Sequence, residues 1–218
     1  MQNIGSKSQL AIILSRLKGF ESPKVKKEQY MTDSEVAASV LWNAYLLGDI
    51  EGRVVLDLGC GTGILGIGSL LLGAKQAIFV DSDLDAIKKG VKNNIQLVES
   101  EGYKLGKAKL MHKPVEEAQE VQAEVVVQNP PFGTKNKGMD VIFVGKALET
   151  APIVYSLHKS ETKAYLEAFA AKKNAKITHI WDFKYPLKAT MQFHRRRMHC
   201  INVSCMRFEK ISDEKDEK

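Results

Sequence analysis

Two short stretches of this chain hold residue types that chemistry needs. The first is Asn129-Pro130-Pro131-Phe132, which follows directly on the apolar run Val125-Val126-Val127 and Gln128. An amide oxygen and a neighbouring main-chain carbonyl are both hydrogen-bond acceptors. Together they can grip the two N–H groups of a planar exocyclic amine. Such a nitrogen shares its lone pair with a ring and attacks poorly. Holding both protons pushes it toward a tetrahedral, more nucleophilic state. Asn129 Oδ1 and the Pro130 carbonyl are the candidate acceptors. Each proline fixes φ near −65°, Pro130 also restricts Asn129, and Pro131 brings no N–H to compete. Phe132 offers a face on which a base can stack. The bland alternative is a strand-ending Pro-Pro turn with a packed phenylalanine.

The second stretch is Asp57-Leu58-Gly59-Cys60-Gly61-Thr62-Gly63, at the end of the apolar run 54–59. Glycines at alternate positions let backbone approach a ligand closely, and the N-terminus of a following helix favours a carboxylate or phosphate. The dinucleotide fingerprint GxGxxG fails when counted from Gly59. Counted from Gly61 it is complete through Gly63 and Gly66, but it then begins two residues late. Asp57 can hold an ammonium, directly or through water. Asp81, at the end of the next apolar run, can accept both hydroxyls of a ribose. An ammonium, a carboxylate and a ribose together describe S-adenosyl-L-methionine. The loop resembles the first motif of class I methyltransferases, an acid followed by GxGxG. A loop for another cofactor, or a tight turn, is the alternative. The amide-proline motif resembles the Asn-Pro-Pro-aromatic signature of amino methyltransferases, which act on adenine N6, cytosine N4, guanine N2 or a glutamine amide.

These stretches must be positioned by the elements around them. The spacing of Leu10, Ile13, Leu14 and Leu17 predicts a helix over 6–19, and Thr32 with Glu35 reads as a capping box opening a second helix. From residue 54 the chain alternates between strands and helices. Strands are expected at 54–59, 77–81, 107–112, 124–128 and 153–158, and helices at 64–73, 83–98, 139–150 and 160–173. That alternation implies a parallel sheet with right-handed crossovers. Two strands, 177–185 and 199–208, then follow with no helix between them. The expected fold is α/β and Rossmann-like: seven strands, mostly parallel, with a C-terminal antiparallel hairpin and helices on both faces. Residues 1–208 form one domain, with 1–50 as a helical cap over the cofactor site. Residues 209–218 are a charged, disordered tail.

Composition bounds the rest. The chain has 218 residues, 44% hydrophobic and 27% charged, with a net charge of +6. Residues 209–218 hold three lysines against five acids, so the remainder carries +8. A basic body favours polyanions, nucleic acid above all. No run approaches a membrane span, and the three cysteines show no zinc or disulfide spacing. A reducing cytoplasm and no metal are expected.

Further stretches resemble one family, the methyltransferase-like protein 5 family of small-subunit rRNA adenine-N6 methyltransferases. They are GFESPK (19–24), EQYMT (28–32), DLGCGTG (57–63), NPPFGTKNKGMD (129–140), VYSLHK (154–159) and FHRRR (193–197). The resemblance covers nearly the whole chain to about Phe208. It implies methyl transfer from S-adenosyl-L-methionine to adenine N6 in RNA, leaving S-adenosyl-L-homocysteine. It further implies that EQYMT folds over the cofactor, with Gln29 and Thr32 touching it, and that Gly59, Gly61, Thr62, Gly63, Ile64 and Asp81 line its site. Relatives often carry an acid after the third strand. Here that region reads His112-Lys113-Pro114-Val115, which leaves Val115 or backbone contacts. Thr62 stands where some relatives have cysteine.

Lys135, Lys137, Phe193, Arg195, Arg196 and Arg197 are candidate RNA contacts, the arginines as a phosphate clamp; each has a solvated-loop alternative. Lys24, Lys26 and Lys27 are weaker candidates. His158 is not expected to act as a base, and Cys60 reads as small filler. Eukaryotic members of the family pair with a small zinc-binding activator, and the edge strand 107–112 is the candidate surface for one; a protected edge with Lys107 and Lys109 as gatekeepers is the alternative. A guanine-N2 or glutamine-N5 methyltransferase, and a non-catalytic RNA-binding assembly factor, remain as rival readings.

Overall fold

The computed structural model describes residues 4–21, 23–24, 28–132, 138–187 and 199–211. Seven strands form one sheet: β1 (Val54–Leu58), β2 (Gln76–Asp81), β3 (Lys107–His112), β4 (Val125–Gln128), β5 (Ile153–Lys159), β6 (Ala175–Leu187) and β7 (His199–Lys210). Their order is β3-β2-β1-β4-β5-β7-β6. The first five are mutually parallel, and β7 runs antiparallel to both β5 and β6. The expected mostly parallel sheet with a C-terminal antiparallel pair is what forms.

Alternation along the strands sorts the core into two layers. Val55, Phe79, Val125, Val127 and Tyr155 face one side, where α1 (Lys7–Ser15), α2 (Ser34–Leu46), α3 (Ile64–Leu71) and the helical stretch 86–100, which ends in α4 (Lys92–Ser100), cover them. Leu56, Val80, Val126 and Val154 face the other side, under α5 (Met139–Thr150) and α6 (Lys163–Ala171). Strand order reverses between β1 and β4. The crevice beyond their carboxyl ends is where such sheets bind ligands. Asp57 is opposite Val127 in that pair, so the glycine loop and Asn129 leave the sheet side by side.

Of the boundaries that differ from expectation, three bear on the site and the sheet. The N-cap of α2 is Asp33, whose carboxylate accepts from the N–H groups of Glu35 and Val36. Thr32 is not the cap, because its hydroxyl is used elsewhere. The helix expected at 83–98 begins with a π-type turn, Ala86–Val91, and becomes α-helical at Lys92. β7 continues through Lys210, pairing Glu209 with Ile153 and Lys210 with Ala175. Glu209 and Lys210 therefore belong to the sheet and not to the tail.

A buried ionic group ties the far end of the sheet together. Arg207 Nε donates to Asp49 at 2.8 Å, and the Tyr155 hydroxyl donates to the same carboxylate oxygen at 2.6 Å. The guanidinium also reaches Thr178 and Glu209, and it lies 6.0 Å over the Tyr155 ring. Arg207 is 8% exposed and Asp49 5%. Removing one member of a buried pair leaves an uncompensated charge, at a cost of about 3–5 kcal/mol. Arg207→Met should lose stability of that order in urea unfolding. A loss under about 1 kcal/mol would mean that water solvates Asp49 well enough without its partner.

Candidate active site

The glycine loop connects β1 to α3. Gly59 and Gly61 have φ of +70° and +52°, and a Cβ on either would fall 2.7 Å from the Phe143 or Phe20 ring. Only glycine fits both the dihedral and the space. Asp81 braces the loop from β2: one carboxylate oxygen accepts from Gly61 N–H at 2.8 Å, the other from Asp83 N–H at 2.8 Å. Asp57, 2% exposed, accepts from Gly66 N–H at 2.8 Å and so anchors the first turn of α3. Burial pushes the Asp57 carboxyl up to about 7; the Gly66 N–H opposes this and the Asp81 charge adds to it.

Residues 28–32 form a strap across the mouth of the loop. Gln29, Tyr30, Met31 and Thr32 share with Asp57, Asp81 and Asn129 the lining of a cavity of about 250 Å³. The strap is fastened at two points. At one, Lys24 Nζ and Gln29 Nε2 both donate to Asp83, at 2.6 and 2.8 Å, and Lys24 N–H donates to Gln29 Oε1. Burial alone would push the Asp83 carboxyl up. The Lys24 ammonium, the Gln29 amide and the Asp85 N–H outweigh it and hold the carboxyl well below the usual range. At the other point, Asn129 Nδ2 donates to Thr32 Oγ1 at 2.9 Å. This bond uses the amine end of the Asn129 amide. Its Oδ1 is buried in the cavity wall with no partner among the described residues.

Three aromatic rings close the site beside Asn129. Phe132 packs against Tyr30 at 5.6 Å and edge-on against Tyr185 at 5.9 Å. Tyr185 comes from β6, and its hydroxyl accepts from Asp33 N–H at 3.3 Å. The N-terminal strap, the β4 motif and the C-terminal strand pair thus meet at one point.

Of the residues singled out for the cofactor, Gln29, Thr32, Asp57, Gly59, Gly61, Thr62, Ile64, Asp81 and Val115 line the cavity, as do Asn129 and Pro131. Gly63 turns away from it: it precedes α3, and a side chain there would meet Val91 and Phe79. Pro130 is buried outside the lining, and Phe132 sits in the aromatic cluster. Lys135, Lys137, Phe193, Arg195, Arg196 and Arg197 lie outside the described residues. Lys24 is committed to Asp83. His158 is fully buried against Ser156 at 2.5 Å, and burial pushes it down to about 3, so it stays neutral. Sequence reasoning missed Phe20, Tyr30, Glu116 and Phe143 as lining residues. The signal for Glu116 was present: it is the first acid after the third strand, one residue beyond Val115. Among the described residues no group of three or more His, Cys, Asp or Glu is placed to hold a metal ion. No helix of theirs is long and apolar enough to cross a membrane.

A doubly wound sheet with a glycine loop after β1, an acid ending β2 and an amide-proline motif after β4 defines a Rossmann-like methyltransferase. A family model described as ribosomal protein L11 methyltransferase (PrmA) matches residues 43–130. The chain is 36% identical to the rRNA N(6)-adenosine-methyltransferase Mettl5 of Drosophila melanogaster, over 90% of this chain and 92% of that one. It is 33% identical to the rRNA N(6)-adenosine-methyltransferase METTL5 of Danio rerio, over 92% and 97%. A solved structure from Pyrococcus horikoshii, provisionally described as an RNA methyltransferase, is 39% identical and superposes with a TM-score of 0.84, covering 94% of this chain and 98% of that one. The chain belongs to the methyltransferase-like protein 5 family of rRNA N(6)-adenosine-methyltransferases.

The Asp83 fastening makes a local claim. Asp83→Ala should raise amide hydrogen exchange at residues 28–32 while leaving exchange in β1 and β4 unchanged, measured by mass spectrometry. Unaltered protection of the strap would show that Thr32 and the aromatic packing hold it without Asp83.

Proposed function

We propose that this chain transfers a methyl group from S-adenosyl-L-methionine to N6 of an adenine in rRNA, in the small subunit by family resemblance. The observation that carries the reading is Asn129. Its amine end is spent on Thr32, and its buried oxygen has no partner among the described residues, in the wall of a cavity that also holds Asp57, Asp81 and the glycine loop.

The residues present fit that cofactor. A carboxylate offers about four acceptor positions. Asp81 accepts from Gly61 and Asp83 and lines the cavity, where its carboxylate can also accept from ribose hydroxyls. Asp57 can answer an ammonium, and the loop's backbone can answer a carboxylate. Gln29, Thr32 and Val115 would complete the enclosure. When bound, the cofactor supplies an electrophilic methyl on sulfur and is left as S-adenosyl-L-homocysteine. Asn129 Oδ1 holds one N–H proton of the amine, and the carbonyl of Pro130, a residue outside the lining but bonded to Pro131 within it, is the acceptor assigned to the other. No side chain has to act as a strong base, because the amine is acidic once methylated and gives its extra proton to water. Catalysis rests on positioning and electrostatics. The adenine must be unpaired or flipped to reach the cavity. Phe132, already packed by two tyrosines, is the rigid plate against which it stacks, a contact worth about 1–3 kcal/mol.

The cap formed by residues 1–50 and the basic stretches at 135–137 and 193–197 complete this reading, the latter as phosphate contacts. β3 is the outer strand of the sheet and is exposed along nearly its whole length. It is the surface we assign to a small zinc-binding activator subunit, joined by strand addition. The protein then works in the cytoplasm on rRNA.

Purified protein, small-subunit rRNA and labelled cofactor provide the test, with products identified by nucleoside mass spectrometry and mapped. N6-methyladenosine at one site is expected. Asn129→Ala should cut turnover by at least about a hundredfold while cofactor affinity stays within a few-fold. Methylguanosine or methylglutamine as the product would sink the reading, as would RNA binding with no turnover.

Asp57 sets a pH dependence. Its carboxyl is held up near 7 in the cofactor-free protein, and a cationic amine beside it favours the ionised form. Below that pH, binding must release a proton. Affinity for S-adenosyl-L-methionine should therefore rise by up to about tenfold per pH unit between about 5 and 7, then level off. Titration calorimetry across that window checks it. Asp57→Asn should flatten the curve, and a wild-type curve already flat below pH 6 would remove Asp57 from cofactor recognition.

A further inference from the structure

Two buried polar atoms in the cavity-lining residues have no partner among the described residues: Asn129 Oδ1 and the Tyr30 hydroxyl. The first is an acceptor. The second keeps its proton, because burial pushes the phenol far above its usual range, and so can donate. A buried polar group without a partner is costly, and most such groups in folded proteins are satisfied. Two in one cavity point to a ligand that satisfies both.

Tyr30 is held without using its hydroxyl. Its ring packs on Phe132 at 5.6 Å and against the edge of Tyr185 at 6.2 Å. Two residues further along the strap, Thr32 accepts the hydrogen bond from Asn129. The same short segment therefore fixes the Asn129 amide and places Tyr30 in the lining of the same cavity. Its ring belongs to the cluster that contains Phe132.

We propose that Tyr30 is a substrate-reading residue, its hydroxyl donating to the ring nitrogen N1 of the adenine whose N6 amine Asn129 holds. The assignment rests on the adenine reading above. An acceptor and a donor borne by two residues that line one cavity are the complement of an amine next to a bare ring nitrogen. Adenine offers that pair as N6–H and N1, and cytosine offers it as N4–H and N3. Guanine reverses both, with a carbonyl at position 6 and a proton on N1, so Asn129 Oδ1 would face another acceptor and the Tyr30 proton would find none on the ring edge. The pair thus admits an amidine edge and rejects guanine and uracil. The rigid aromatic mount makes the rejection effective, since neither group can swing away.

The test is a double-mutant cycle between protein and RNA. A short RNA spanning the mapped adenosine is compared with the same RNA carrying 1-deazaadenosine, each with wild-type protein and with Tyr30→Phe. Tyr30→Phe keeps the ring and removes only the hydroxyl. Either single change should lower kcat/KM by about ten- to a hundredfold. The two together should cost no more than the larger single change, because they remove the same bond. Cofactor affinity should stay within about twofold for both proteins. Any effect of the missing nitrogen on amine reactivity is common to both proteins and cancels. Multiplicative losses, or full activity of the wild type on 1-deazaadenosine RNA, would overturn the Tyr30 assignment alone. Failure of the wild type to methylate the adenosine RNA at all would overturn the reading beneath it.

Discussion

The bond from Asn129 Nδ2 to Thr32 Oγ1 is the contact on which the site depends. An asparagine amide has an accepting end and a donating end of nearly the same shape, and one outside partner decides which end faces a ligand. Thr32 takes the donating end. What remains in the cavity is an oxygen, which suits an amine and repels a carbonyl. The prolines then hold the backbone of Asn129 in one conformation. Polarity and position are set by different means: polarity by a hydroxyl from the N-terminal strap, position by ring geometry within the motif.

That bond works only if the strap lies where it does, and several weaker features place it. Asp83 gathers Lys24 and Gln29, and its own N–H is held by Asp81, which also holds the glycine loop. The acid assigned to the ribose is thus one bond from the residue that anchors the cover. Tyr185 approaches from the other side and packs against both Tyr30 and Phe132. Meanwhile the Arg207–Asp49–Tyr155 group joins the loop before β1 to β5 and β7. It fixes the last strand pair against the rest of the sheet, so that Tyr185 arrives in register.

Much of this frame was legible in the chain. The apolar run of β4 and the helical spacing of α5 marked those elements to within a residue of their observed ends, because a strand or helix face packed on the core needs hydrophobic positions. The glycine loop and the amide-proline motif announced themselves through local sequence. What was not legible is non-local. Thr32 and Asp33 are both good cap residues, and spacing favoured Thr32. Asn129, 97 residues away, claims the Thr32 hydroxyl and leaves the cap to Asp33. Glu209 and Lys210 look like the start of a charged tail, yet their backbones pair with Ile153 and Ala175. The pairing of Asp49 with Arg207 spans 158 residues, and no local pattern signals it.

The division between general and particular chemistry follows the same line. The match to the ribosomal protein L11 methyltransferase model covers residues 43–130 and ends at Pro130. Within it lie the loop, Asp57, Asp81 and Asn129, the residues we assign to the cofactor and to the amine. Thr32, Tyr30, Phe132 and Tyr185 lie outside it, on the strap, past the motif and on the last strand pair. These are the groups that orient the amide, present the unpaired hydroxyl and build the aromatic wall. A shared core can therefore carry the residues we assign to the cofactor, while the two ends of the chain, meeting over Asn129, carry the groups we assign to the substrate.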